Sequence, residues 1–129
     1  MNRFFDTNIL LYAIETGPKA RVAHDLLKNG GTISSQVLNE FIRVGRRKYK
    51  LEFSVIAEFL APIKATFSIV DVSLACHERA FDIAAKNNIG IYDANIIAAA
   101  ELSGCDTLYT ENLNNGQRIG KLAIVNPFV

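Results

Sequence analysis

Asp6, Glu40 and Asp93 are the carboxylates whose surroundings set them apart from ordinary surface charge. Asp6 ends the apolar run Arg3-Phe4-Phe5, Glu40 lies among Leu38, Phe41 and Ile42, and Asp93 opens a stretch that is otherwise small and apolar. A carboxylate at the inner end of a buried strand has to be paired or bound to a cation, because leaving it charged and alone costs several kcal/mol. Carboxylates gathered in one place repel one another unless a counter-charge joins them, and hard oxygen donors select Mg²⁺ or Mn²⁺. Each acid also has a plainer reading. Asp93 serves equally well as an N-cap or first-turn acid favoured by the helix dipole, and Glu40 taken alone reads as a solvated helix residue. Asp6 has no such easy alternative.

No other chemistry competes. His24 and His77 fall within helical patterns, and Cys76 and Cys105 form neither a CxxC pair nor a zinc-like Cys/His spacing, which leaves two buried or half-buried thiols in a reducing compartment. No Ser–His–Asp arrangement has local support, and no glycine-rich phosphate loop is present. Beside Glu40 runs a basic stretch, Arg43, Arg46, Arg47, Lys48 and Lys50. Helical spacing puts Glu40, Arg43 and Arg47 along one side, so positive charge extends outward from the acids as a track for a phosphate backbone. The same residues also suit the C-terminal end of a helix, where cations complement the macrodipole.

The elements that must position these groups alternate between short strands and helices. Strands are expected at Arg3–Phe5, Thr32–Ser34, Ser68–Val70, Thr107–Tyr109 and Leu122–Val125. A short helix follows Asp6, and a second, carrying Ala20, Ala23, Leu26 and Leu27, stops at Asn29-Gly30-Gly31. A long helix capped by Ser35 carries Val37, Phe41 and Gly45, and Val55–Ile63 forms another with Pro62 as a kink or early end. Two more helices follow, one from Ala75 to Asn87 and one opened by Tyr92-Asp93 and ending at Ser103-Gly104. This alternation predicts an α/β three-layer fold with a mainly parallel central sheet flanked by helices. Function in such sheets gathers just beyond the carboxyl ends of the strands, where Asp6 and Thr110-Glu111-Asn112 fall.

Composition bounds the rest. The chain has 129 residues, 50% hydrophobic and 21% charged, which predicts one domain over 1–129 and excludes a disordered chain. The 14 Lys+Arg against 13 Asp+Glu leave a net charge of +1, too little for a protein that coats nucleic acid by bulk charge. No signal peptide is visible and no apolar run approaches bilayer length, so a soluble cytoplasmic protein is expected, with no membrane partner.

Phe4-Phe5-Asp6-Thr7-Asn8-Ile9-Leu10, Asn39-Glu40-Phe41, Tyr92-Asp93-Ala94-Asn95-Ile96-Ile97-Ala98-Ala99-Ala100 and Leu108-Tyr109-Thr110-Glu111-Asn112 together resemble the PIN-domain ribonucleases. The similarity is greatest to the VapC-type toxins of bacterial toxin–antitoxin pairs, and it covers essentially the whole chain in order. It implies a PIN-like fold and a metal-dependent endoribonuclease that uses one or two Mg²⁺ or Mn²⁺ ions to activate water against an RNA phosphodiester. The resemblance places Asp6, Glu40 and Asp93 at the family's acidic positions and Asn8, Thr110 and Glu111 around them. The fourth acid of the family closes a Thr/Ser-x-Asp motif, and here that position is Asn112, an amide without charge. The resemblance further implies a homodimer and a small VapB-like antitoxin, whose docking surface would include the Val55–Ile63 helix unless that helix is simply core. Two alternatives stand beside this reading. Asn112 favours a catalytically weak PIN domain that works by binding RNA or a partner. A phosphohydrolase of the haloacid-dehalogenase type also places an Asp after an early strand, but it needs a second acid two positions on, where this chain has Asn8.

Overall fold

Phe4 and Phe5 are consecutive in a strand, so their side chains point to opposite faces of the sheet, and both are fully buried. Both faces of the sheet are therefore covered. In the computed structural model, which describes residues 2–129, the strands are β1 (Arg3–Phe5), β2 (Thr32–Ser34), β3 (Ser68–Val70), β4 (Thr107–Tyr109), β5 (Arg118–Ile119) and β6 (Leu122–Val125). They form one sheet in the order β3-β2-β1-β4-β6-β5, parallel throughout except for the antiparallel β5–β6 pair. The helices are α1 (Thr7–Leu11), α2 (Pro18–Leu27), α3 (Ser35–Arg47), α4 (Phe53–Thr66), α5 (Leu74–Asn87) and α6 (Ile91–Leu102).

The chain builds the sheet from β1 outward to β2 and β3, then returns to the other side of β1 with β4. That reversal lies between β1 and β4, and at their carboxyl ends Phe5 stands opposite Tyr109. In open parallel sheets this is where a crevice forms. α6 covers β2 and β4 and packs on α5, while α3 meets α1, α4 and β2. Seven consecutive residues of α6, Ala94–Ala100, are buried, which small side chains permit because neighbouring elements approach on every side. Gly31 is needed for a similar reason: a Cβ there would lie 2.6 Å from the Phe5 ring and 2.9 Å from the Arg3 carbonyl oxygen.

The expected strands and helices are present, with local differences. Ser34, not Ser35, caps α3, its Oγ accepting from the Val37 N–H, and Ser35 Oγ instead accepts from the Val72 N–H. Pro62 does not end α4, which continues to Thr66, because a proline removes only its own N–H and the ring finds room on an exposed face. α6 begins at Ile91, with Gly90 as its cap, so Asp93 is a first-turn residue and not the cap. β5 was not expected; two residues carry no readable period, and the strand exists only because the turn at Gly120 folds it back on β6. Cys76 and Cys105 are buried free thiols, and His24 and His77 are exposed on their helices. Among the described residues no helix is long and apolar enough to cross a membrane.

Candidate functional site

Asp6 leaves β1 and at once caps α1: its Oδ1 accepts from the Thr7 N–H at 2.6 Å, and its backbone carbonyl accepts from Ile9. Its Oδ2 accepts from the Thr110 hydroxyl at 2.8 Å. Thr110 is fully buried just past β4, and its Oγ1 also accepts from the Asn112 N–H at 3.2 Å. One hydroxyl therefore ties the loop after β4 to a carboxylate 104 positions earlier.

α3 brings Glu40 to the same place, and the first turn of α6 brings Asp93. Asp6, Glu40, Asp93 and Asn112 line one cleft of about 200 Å³, together with Thr7, Asn8 and Tyr92. Asp6 is only 5% exposed, Glu40 and Asp93 are half-buried, and Asn112 lies at the exposed rim. Burial pushes the Asp6 carboxyl up to about 6; its two hydrogen bonds pull the other way, and the charges of Asp93 and Glu40 add to the rise. Burial raises Asp93 as well. Among the described residues no Lys or Arg forms an ion pair with any of the three acids. Glu40 receives only a 3.4 Å contact from Gln36 Nε2.

The donor set tests the fit of a metal. Every polar atom facing the cleft is oxygen or amide, and both side-chain polar atoms of Asn8 are buried without a hydrogen-bond partner. Among the described residues, no three acidic, histidine or cysteine side chains converge closely enough to ligate one ion directly. Three uncompensated carboxylates around a small cleft therefore fit a hydrated hard cation, which takes one or two carboxylates and keeps most of its own water. A larger groove of about 270 Å³ between α2 and α4 is mostly apolar and contains no acid.

The other residues singled out in the sequence divide. Glu111 turns away from the cleft, accepting from the Tyr12 hydroxyl at 2.8 Å and pairing with Lys19 at 3.2 Å, because adjacent residues of the loop face opposite ways. Arg43, Arg46 and Arg47 are exposed along the second half of α3, and Lys48, its C-cap, and Lys50 beyond it are exposed as well. Part of the Val55–Ile63 segment is core, since Ile56, Leu60 and Ile63 are buried. Sequence reasoning missed Thr7 and Tyr92 as cleft residues. Their only signal was position, each being next to an acid.

A PIN domain family model matches residues 3–119. A comparison with curated proteins found no match. Among solved structures, a toxin–antitoxin complex from Klebsiella pneumoniae is similar at 27% identity and a TM-score of 0.72, covering 98% of both chains. The Rickettsia felis VapBC2 complex bound to a DNA fragment from its promoter is similar at 25% identity and 0.71, over 96% of this chain and 97% of that one. Mycobacterium tuberculosis VapC20, a sarcin–ricin loop cleaving toxin, shares the fold at 16% identity and 0.69, over 83% of this chain and 87% of that one.

Proposed function

The chain belongs to the PIN domain family, and from that footing we propose that it is a Mg²⁺- or Mn²⁺-dependent endoribonuclease, the toxin of a toxin–antitoxin pair. The observation that carries the reading is the cleft itself, where Asp6, Glu40 and Asp93 meet at the carboxyl ends of β1 and β4 with no cation of the protein's own. Names borne by similar structures support the biological setting: one is a toxin–antitoxin complex and another a VapBC complex. The corresponding partner is a small VapB-like antitoxin, and the active form is a homodimer working in the cytoplasm.

A divalent ion held by Asp6, Asp93 and Glu40 would supply an activated water and offset the negative charge on the phosphoryl and leaving oxygens. The residues of the chain do the positioning. Asp6, Asp93 and Glu40 line the cleft from the end of β1, from α6 and from α3. The Thr110 hydroxyl and the Thr7 N–H fix the rotation of the Asp6 carboxylate, so both of its oxygens have a defined direction before any ligand arrives. The Asn8 amide, buried and unpartnered, is available to orient water. Tyr92, largely exposed at the cleft, borders the path that substrate must take.

Asn112 gives a second reading its footing. An amide where the family carries an acid lowers the negative charge of the site, which favours a PIN domain that binds RNA and cuts it slowly. One assay separates the two: RNA incubated with the purified chain in Mg²⁺, Mn²⁺ or EDTA, alongside Asp6→Ala. Cleavage is expected with either metal and not in EDTA or the variant. Cleavage that persists in EDTA and in Asp6→Ala sinks the metal site, and RNA retained uncut in Mn²⁺ supports the binding reading.

A further inference from the structure

Arg46 and Phe53 form a feature that the cleft does not use. The Arg46 guanidinium sits 4.3 Å from the centroid of the Phe53 ring, and its Nη1 donates to the Leu51 carbonyl at 3.1 Å. The cation is thus anchored to backbone while it covers one face of the ring. Phe53 nevertheless stays 64% exposed. The pair is held by the close approach of α3 and α4: a Cβ on Gly45 would lie 3.3 Å from Ile56 Cδ1, so the residue after Gly45 lands beside the first residue of α4.

Position along α3 connects this pair to the site. At 3.6 residues per turn, Arg47, Arg43 and Arg46 lie roughly 20°, 60° and 120° round the helix from Glu40. Positive charge therefore fans outward from the cleft and ends at the Phe53 ring. Arg43, Arg46, Arg47, Lys48 and Lys50 form no ion pair among the described residues, although Glu52 directly precedes Phe53. Uncompensated cations of this density select a polyanion, and they oppose a second copy of the chain that would bring the same charges against themselves.

We propose that Phe53, backed by Arg46, is a stacking platform for an unpaired nucleobase of single-stranded RNA, at the outer end of a phosphate track that leads to the acidic cleft. The proposal rests on the ribonuclease reading and adds the form of its substrate. A base presents its flat face to a ring only when it is free of a duplex, and every base has such a face, so the platform selects single strands without selecting sequence.

The chain contains no tryptophan, so Phe53→Trp creates a single indole at the platform, which can be excited apart from the four tyrosines. In EDTA, a short oligoadenylate is expected to quench that indole, whereas an abasic ribose-phosphate oligomer of equal length and a blunt RNA duplex leave it unchanged. By anisotropy of the labelled oligoadenylate, Phe53→Ala and Phe53→Leu are expected to bind about ten-fold more weakly than wild type, and Phe53→Tyr about as well. Equal binding by wild type and Phe53→Ala overturns the platform, as does equal quenching by the abasic oligomer. A concentration-dependent fluorescence change without RNA overturns it in favour of a second copy. If neither oligomer binds wild type at all, the ribonuclease reading falls together with the platform; if both bind but only backbone charge matters, the ribonuclease reading stands without it.

Discussion

Glu101 and Asp82 meet Arg79 where α5 packs on α6, whereas Asp6, Glu40 and Asp93 meet no cation of the protein among the described residues. The first group is closed. Arg79 presents Nε and Nη2 to the two oxygens of Glu101 and Nη1 to Asp82 at 2.8 Å, and Lys86 reaches Asp82 at 3.3 Å. Its charges are satisfied from within, and the neighbouring acids hold the guanidinium above its ordinary value. The second group is open, with burial and mutual repulsion both acting against ionisation of Asp6. Identical side-chain chemistry is thus compensated from within in one place and left without a counter-charge in the other.

The largest effect should come from removing charge at the open group. Asp93→Asn leaves the packing of α6 almost unaltered and is expected to lower RNA cleavage about 10²–10³-fold, the usual scale for losing transition-state charge stabilisation. Single-turnover rates in Mg²⁺ check this.

The next effect is on stability and has the opposite sign. Folding moves the Asp6 carboxyl from 3.8 to about 6, so the folded chain takes up a proton between those values. The contribution of Asp6 to the stability of the metal-free protein is therefore greatest below about pH 4, declines as pH rises toward 6 and levels off above it. Asp6→Asn should abolish that decline and stabilise the protein at pH 7 by up to roughly 3 kcal/mol in EDTA, since each tenfold change in proton affinity is worth about 1.4 kcal/mol. Urea unfolding at several pH values reads both. Breaking the closed group should do the reverse: Arg79→Met is expected to cost about 1 kcal/mol, modest because the pair is partly open to solvent, with no change in metal-induced thermal shift. The smallest expected change is a several-fold gain in Mg²⁺ affinity for Asn112→Asp, measured by calorimetry. An unchanged affinity would mean that the rim position takes no part in binding.

The open group was the more legible of the two from sequence. Asp6 directly follows a strand and is marked by local pattern, whereas Asp93 and Glu40, each with a plain helical reading of its own, are marked only once the sheet edge and the family resemblance join them to it. Arg79 and Glu101 lie 22 positions apart on separate helices, and nothing in either helix announces the other. The Glu111–Tyr12 bond, across 99 positions, was hidden for the same reason. The differences at Ser34, Pro62 and Gly90 concern boundaries, where neighbouring residues of like propensity compete and tertiary contacts decide. β5 has no local signal to read, since its two residues owe their strand to β6.

The Thr110–Asp6 hydrogen bond also bears on the order in which the cleft can be assembled during synthesis. Asp6 is synthesised 104 residues before its second hydrogen-bond donor, Thr110, and β1 gains β4 as a neighbour only after Tyr109 has been added. Until then the carboxylate has no fixed orientation and the cleft has only part of its wall. A growing chain that has not reached β4 therefore lacks the assembled cleft.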